Sequence, residues 1–582
     1  MSTQYPGALD NFANPTPSTS QNASRTHSQQ HGDLNDAVEA LEAKLGVDGS
    51  VDTSSIDYLL RNIPFQQTGI GMVTRTLQSK ARDIVHADDR GLVGDGVTDE
   101  TAELQNLLDA AAGKVLMLGV GKTYGIGTGG ITIPANTKLI ANGSKFKKLA
   151  ASAAYGITTL GAFECDRLIY ETVGGAIDAG VQIKGSDVRI GKLSATSIAA
   201  NSGGNGLLVH DSDATTIRNI WIGELRLTEW AGPFRTRNVD GIYVGPITMD
   251  NYKTGFYCHD TKNGLFDGAH IFGLSPTSFG GAGDNGLLVE STADFKTENL
   301  MFRGWHVEDS GEHAFRIGGD RVVRNMWFIG CSSTNTGCMP ADASTGGAAF
   351  KVLHGNTNPT FHENINVIGF DAVDCSNSAG GLDNMAAIQI GKVKGGQFSN
   401  VTIRKRNNTY SCKFGFQVIA SEDIEINNPN ITDCMRHAFQ FTQAAVVVPA
   451  YPTSMTRVHV NGGHGQVMES GNGSSVAKWA VGGGTFTDVS IKGVTLSGGG
   501  AACLHDAPTG GGAYTDCEVD CTYRAPLNIA GGPPFNNPNT ILLRVKSPYY
   551  GTFAPNASNS SIYQDVTNGL FKIRKAGAWN TL

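Results

Sequence analysis

Between residues 299 and 441 the chain repeats itself. Four segments share one grammar: Asn299-Leu300-Met301-Phe302-Arg303-Gly304-Trp305, Asn325-Met326-Trp327-Phe328-Ile329-Gly330-Cys331, Asn364-Ile365-Asn366-Val367-Ile368-Gly369-Phe370 and, more loosely, Asp423-Ile424-Glu425-Ile426-Asn427-Asn428-Pro429. A second family of short strands runs through the same region: Ala314-Phe315-Arg316-Ile317, Ala349-Phe350-Lys351-Val352, Ala387-Ile388-Gln389-Ile390, Gly415-Phe416-Gln417-Val418 and Ala438-Phe439-Gln440-Phe441. In this family a small residue comes first, the second and fourth residues are apolar, and the third is long and polar. That is the period-two alternation of a strand with one buried and one wet face. Successive copies lie 35, 38, 28 and 23 residues apart. A constant strand on an unequal period means a fixed scaffold carrying connections of variable length. Short strands on such a period stack as a solenoid, each coil covering its neighbour's apolar edge, with equivalent residues about 4.8 Å apart. An all-β parallel β-helix is the expected fold.

Composition supports this. The 582 residues include 75 glycines, while only 17% are charged. Glycine serves the several turns that each coil requires. The net charge of −8 offers no basic footprint for nucleic acid. No run of about 20 apolar residues is present, so no membrane insertion is expected. The start, Met1-Ser2-Thr3-Gln4-Tyr5-Pro6, lacks the basic and apolar regions of a signal peptide. Of ten cysteines, Cys258, Cys331, Cys375, Cys412 and Cys434 sit in or beside strands and read as buried apolar thiols. Cys517 and Cys521 form a lone pair without a second pair to complete a zinc site. Synthesis in a reducing cytoplasm is expected.

Along the chain, residues 1–30 are rich in Ser, Thr, Asn, Gln and Pro. A short helix is predicted from Asp33 to Leu45, with Asp33 as N-cap and Gly46 as stop. Its Leu34, Val38, Leu41 and Leu45 have coiled-coil spacing, or equally form the apolar stripe of a single amphipathic helix; so short a seam needs a partner. A further short helix is predicted at 54–61 and a linker at 63–80. Thr98 is the predicted cap of a helix over 98–112 with Leu104, Leu107, Leu108 and Ala111 as its apolar stripe. Gly94-Asp95-Gly96 lacks the Lys and the glycine spacing of a phosphate loop.

The stretch Ala81-Arg82-Asp83, Gly94-Asp95-Gly96-Val97-Thr98-Asp99-Glu100-Thr101-Ala102, Lys114-Val115-Leu116-Met117-Leu118 and Ile131-Thr132-Ile133-Pro134 resembles the opening of pectate-lyase-like right-handed β-helix proteins, in the version found in bacteriophage tailspikes. Tyr5-Pro6-Gly7-Ala8-Leu9-Asp10 and Leu34-Asn35-Asp36-Ala37-Val38 look like segments that anchor phage proteins to the virion. The resemblance implies a capping helix and a right-handed coil over 81–530, a virion-anchoring region at 1–62 that meets tail or baseplate proteins, a C-terminal β region at 531–582 and a homotrimer that this end helps to lock. It also implies a bacterial surface polysaccharide as partner (capsule, exopolysaccharide or lipopolysaccharide O-antigen) and hydrolysis of it during adsorption. A polysaccharide lyase and a non-enzymatic fibre are the alternatives.

Aligning the coils on Gly304, Gly330, Gly369 and Asn428 brings Asp309, Asn335, Asp374 and Asp433, each five residues later, into one column. Asp309 and Asp374 then stand two coils apart, about 9–10 Å, near the upper end of the roughly 6.5–9.5 Å of inverting glycosidases. With Glu308 and Asp371 beside them, they are the candidate acid and base; mutual repulsion would raise one carboxyl pKa. The alternative is an Asn/Asp ladder that closes turns. Trp305, His306, Arg316 and Lys351 are the candidate substrate-binding residues. The column Arg316, Lys351, Gln389, Gln417, Gln440 reads equally as a glycan grip or a solvated face. Trp230 and Tyr257 are further aromatics that either stack on sugar or pack in the core. His306, His313 and His437 are candidate acid–base groups, although His313 and His437 hold matching places before the Ala of their strands, which favours packing. For the lyase alternative, a His or Tyr base and a neutralising Arg316 are expected. No carboxylate cluster has the spacing of a calcium loop, and neither a metal nor a cofactor is expected.

Overall fold

A computed structural model describes residues 27–65, 73–174, 179–198, 202–273 except 211 and 213, 285–337, 347–353, 360–375, 386–406, 412–442, 454–467, 475–481, 485–498, 502–508, 513–523, 541–546, 562–565, 570–575 and 578–581. The anchor-like segment from Tyr5 to Asp10 lies outside them. The chain divides into two compact units, 1–85 and 86–582.

In the first unit the helix runs His27–Leu45, starting before the predicted Asp33 cap, and Leu34 and Leu41 of its seam are exposed. A second helix, Ile56–Arg61, is capped by Ser55, whose Oγ accepts the Tyr58 N–H at 3.1 Å. The stretch read as a linker contains a small hairpin, Pro64–Phe65 with Arg75–Thr76, and the helix Leu77–Ala81.

The second unit opens with the helix Thr101–Ala110, which buries Leu104, Leu107 and Leu108, with Ala111 buried just beyond it. Thr98 does not cap it: its hydroxyl donates to Asp95 at 2.9 Å. Glu100 is the N-cap residue, and its carboxylate accepts the Val93 and Gly94 N–H groups at 2.6 and 3.1 Å.

Beyond this helix the chain winds into a parallel β-helix with three sheets. Leu300 registers with Met326 and then Ile365 in the first sheet. His306, Ser332, Asp371 and Thr402 follow one another in the second. Phe315, Phe350, Ile388, Phe416 and Phe439 do so in the third. Earlier coils follow the same plan, with Ile242 in the first sheet beside Gly264 and Phe256 in the third beside Leu287.

The repeat grammar is turn chemistry. Asn299, Asn325, Asn364 and Asp423 have φ of 58, 55, 52 and 58°, and Gly304, Gly330, Gly369 and Asn428 have φ of 63, 62, 68 and 52°. The left-handed region costs most L-residues about 1–2 kcal/mol, and Gly, Asn and Asp are the residues that visit it routinely. Five residues from corner to corner therefore make one strand of the first sheet. The corner carboxamides also bond from coil to coil: Asn299 donates to Asn263 at 3.0 Å, Asn325 to Asn299 at 2.9 Å, and Asn364 to Asn325 at 2.9 Å. The coil whose third-sheet strand is Gly415-Phe416-Gln417-Val418 has corners at Gly395 and Asn400 that the sequence pattern missed, and it lies between those of Asp371 and Asn430.

The interior is an aromatic and aliphatic stack. Phe266, Phe302 and Phe328 lie 5.2 and 5.0 Å apart in successive coils, with Trp305 edge-on to Phe302 at 5.3 Å. Each such burial contributes about 1.5–3 kcal/mol. Cys165, Cys258, Cys331, Cys375, Cys412, Cys434, Cys517 and Cys521 are free and buried. The coil continues past the boundary expected at 530, because Ile541–Lys546 pairs parallel with Cys517–Tyr523. An antiparallel sheet of Ile562–Asp565, Leu570–Lys575 and Ala578–Thr581 follows. Among the described residues no helix is long and apolar enough to cross a membrane.

Candidate functional site

The column of Asp309, Asn335, Asp374 and Asp433 exists, and it is a column of corners. Their φ values are 55, 54, 51 and 66°. Asn335 Nδ2 donates to Asp309 Oδ1 at 2.5 Å, and Asp374, buried, accepts the Arg406 N–H at 2.7 Å. Asp309 and Asp374 thus close turns, the ladder alternative of the sequence reading, and Asp374 lacks the open access that an acid or base needs. Trp305 does not face a sugar either. It is fully buried, its Nε1 donating to the Phe266 carbonyl at 3.1 Å. Trp230 is placed likewise, bonded to the Ala195 carbonyl at 3.0 Å.

His306, Glu308 and Asp371 face outward from the second sheet. Strand alternation sends 305 and 307 inward and 306 and 308 outward, and parallel register sets His270 beside His306. The two imidazole rings are 5.1 Å apart, and each Nε2 lies 3.9 Å from Glu308 Oε2. His306 Nδ1 lies 2.8 Å from Ser332 Oγ. Partial burial, with His270 beside it, lowers the His306 pKa against the pull of Glu308 and Asp371. Asp371 is held by Arg404 at 2.6 and 3.1 Å. The sequence reading missed His270, because its strand precedes the legible repeats.

Arg316 and Lys351 face outward from the third sheet on adjacent coils. The same column continues through Gln389, Gln417 and Gln440, but these are buried and bonded amide to amide at 2.6 and 2.7 Å. They are neither a solvated face nor a grip. Below them in the stack, Tyr257 Oη donates to Glu290 at 2.7 Å under the Arg235 guanidinium, 5.0 Å from the ring. Burial, reinforced by Glu290, pushes the Tyr257 phenol up, which disfavours it as a base.

Around Arg316 and Lys351 stands a buried pair, Glu312 and His313, 3.2 Å apart. Arg316 reaches the other Glu312 oxygen at 3.5 Å. The backbone N–H of Ala348 donates to His313 Nδ1 at 2.9 Å. Nδ1 is therefore the acceptor nitrogen, and in a neutral ring the proton sits on Nε2. Burial, with Lys351 adjacent, lowers the His313 pKa to about 3, so the ring is neutral. Its Nε2 lies 3.1 Å from Lys351 Nζ. That nitrogen also lies 3.2 Å from Glu312 Oε1, and the carboxylate is the acceptor of its N–H. Burial and Arg316 bring Lys351 down to about 8, against the pull of Glu312. Burial opposes the charge on Glu312, but His313, Arg316 and Lys351 outweigh it and hold the carboxyl below its ordinary range. His437 occupies the His313 column and does pack, stacked on Phe414 at 5.4 Å. The preceding acid is what distinguishes the two positions: Glu312 stands before His313, and Arg436 before His437.

No family model and no curated protein matches the chain. Solved structures similar to it include the tailspike protein of Escherichia coli bacteriophage HK620 (12% identity, 84% of this chain and 83% of that one, TM-score 0.39). Bacteriophage CBA120 tailspike protein 3 is similar at 14% identity over 93% and 76% of the two chains (TM-score 0.34). The mannuronan C-5 epimerase AlgE6 A-module of Azotobacter vinelandii is similar at 14% identity over 80% and 100% (TM-score 0.35).

Proposed function

We propose that this chain is a phage tail protein that binds an extended, acidic bacterial surface polysaccharide along its third sheet and cleaves it by β-elimination. The observation that carries the reading is the Lys351 nitrogen, 3.1 Å from His313 Nε2 and on the coil next to Arg316. A base is most effective when its pKa lies near the working pH, and a lysine near 8 meets that condition. In the reaction Arg316 pairs with the uronate carboxylate and stabilises the charge that develops on it. Lys351 takes the proton from the carbon next to that carboxylate. The electron pair forms a carbon–carbon double bond as the glycosidic C–O bond breaks, and the proton returns from Lys351 to the leaving oxygen. Glu312 and His313 position Lys351 from behind.

Against hydrolysis count the corner positions of Asp309 and Asp374 and the charged form in which Glu312 is held, which is unsuited to donate a proton. Three-chain assembly and virion attachment through residues 1–62 belong to the same proposal, supported by the exposed Leu34 and Leu41. The test is incubation of the full chain with purified acidic capsular polysaccharide, following chain length and ultraviolet absorbance together. Shortening with rising absorbance, from the unsaturated sugar, is the expected result. Shortening without absorbance would establish hydrolysis and remove Lys351 and Arg316 from these roles. Binding without shortening would make the chain an adhesin.

A further inference from the structure

We infer that His270, His306 and Glu308 on the second sheet bind one divalent transition-metal ion. Among the described residues they are a group of three potential ligands whose donor atoms all lie within 4.8 Å of one another. The arrangement is a consequence of the fold. Parallel register stacks the two imidazoles on adjacent coils, and the period of the strand puts Glu308 on the same outward face as His306. Two imidazole nitrogens and one carboxylate oxygen suit zinc and its neighbours. Calcium, which takes six to eight oxygens, and magnesium, which keeps oxygen ligands and water, are poorly served.

The surroundings favour an ion in three ways. Ser332 Oγ lies 2.8 Å from His306 Nδ1. With that nitrogen donating to the hydroxyl, Nε2 keeps its lone pair and points toward Glu308, which is the outer-shell contact that orients metal-ligating histidines. The Glu308 carboxylate accepts no hydrogen bond among the described residues. All three side chains retain solvent exposure, 48%, 33% and 36%, which leaves open positions for water or a sugar oxygen. At zinc–ligand bond lengths near 2.0–2.1 Å, tetrahedral donors stand about 3.3 Å apart. The 3.9 Å separations therefore close by about half an ångström, within the reach of exposed side chains. The site lies on a different sheet from Lys351 and stands whether or not that residue acts as a base.

The test uses the full chain without a histidine tag, stripped with chelator and titrated with Co²⁺ and Zn²⁺. One equivalent of Co²⁺ should give visible d–d absorption, displaced by one equivalent of Zn²⁺ in calorimetry. His270→Ala, an exposed position whose loss leaves the core untouched, should abolish the absorption with an unchanged circular dichroism spectrum, as should Glu308→Gln. Ser332→Ala should weaken binding by about 10–100-fold without abolishing it. Absence of saturable binding, or equal binding by the wild-type chain and His270→Ala, would overturn the assignment.

Discussion

The first and third sheets are built on the same coil and treat their ends differently. From Asn299 to Gly304, Asn325 to Gly330 and Asn364 to Gly369 the corner-to-corner distance is constant, and each corner is a residue that tolerates positive φ. The third sheet is entered after connections of changing length, from Asp309 to Phe315 in one coil and from Asn335 to Phe350 in the next. The constant side carries Asn carboxamides bonded to each other. The variable side carries Arg316 beside Glu312, His313 and Lys351, and the last three have pKa values shifted by burial and by their charged neighbours. On the constant side the polar groups satisfy their own copies throughout; on the variable side a charged cluster around Lys351 gives way in the next coil to Gln389, Gln417 and Gln440, which again bond to one another.

The sharpest test of that contrast is Lys351→Met, which keeps the length and removes the amine. Cleavage should fall by about 10²–10⁴-fold, the usual weight of a positioned acid or base, while the circular dichroism spectrum stays that of the wild type. In the wild type, kcat/KM should increase with pH and level off above about 8, since the base acts only when deprotonated. A bell centred well below that pH, or full activity in Lys351→Met, would break the assignment of chemistry to the variable side.

Next in size is the shared interior. Phe302 lies between Phe266 and Phe328 and touches Trp305. Phe302→Ala should lower stability by about 3–5 kcal/mol, read by denaturant unfolding. Because coils contact only their neighbours, the loss should appear first as increased hydrogen exchange in the flanking coils. Uniform loosening over the whole coil would show that the two sides are not separable units.

A smaller effect is expected at the corners. Asn325 has φ 55° and bonds to Asn299 and Asn364. Asn325→Ala should cost about 1–2 kcal/mol through the left-handed backbone, and Asn325→Gly clearly less, because glycine accepts that conformation. Equal costs would mean that the ladder, and not the backbone, sets the corner.

These differences also explain what could be read from the sequence. The strands, their alternation and the column of Asp309, Asn335 and Asp374 were legible because corner spacing is constant and coils add about 4.8 Å each. The purpose of that column was legible only as an alternative, since a turn-closing Asp and a catalytic Asp are the same letter. Trp305 was offered to substrate because alternation assigns faces only once the corner is placed; with Gly304 as the corner, Trp305 turns inward. The Glu312–His313–Lys351 contact was out of reach. It joins residues separated by a connection whose length no repeat predicts. His270 and His306 meet only through the register of two coils, the first of which falls before the clear repeats.

The smallest expected effect discriminates most between the two readings of the corner carboxylates. Asp309 accepts a hydrogen bond from Asn335 and sits at φ 55°. Asparagine at 309 keeps an acceptor oxygen and tolerates the same φ. Asp309→Asn should therefore change stability by no more than about 0.5 kcal/mol and leave cleavage at the wild-type rate. Asp309→Ala should lose both the bond and the favourable backbone and cost measurably more. If Asp309 were instead an acid or base of hydrolysis, asparagine, which cannot exchange a proton, would abolish cleavage while the fold stayed intact. The same pair of substitutions at Asp374, whose carboxylate accepts the Arg406 N–H, repeats the test two coils away, and an inactive, folded Asn variant at either position would move the chemistry from the third sheet to the corners.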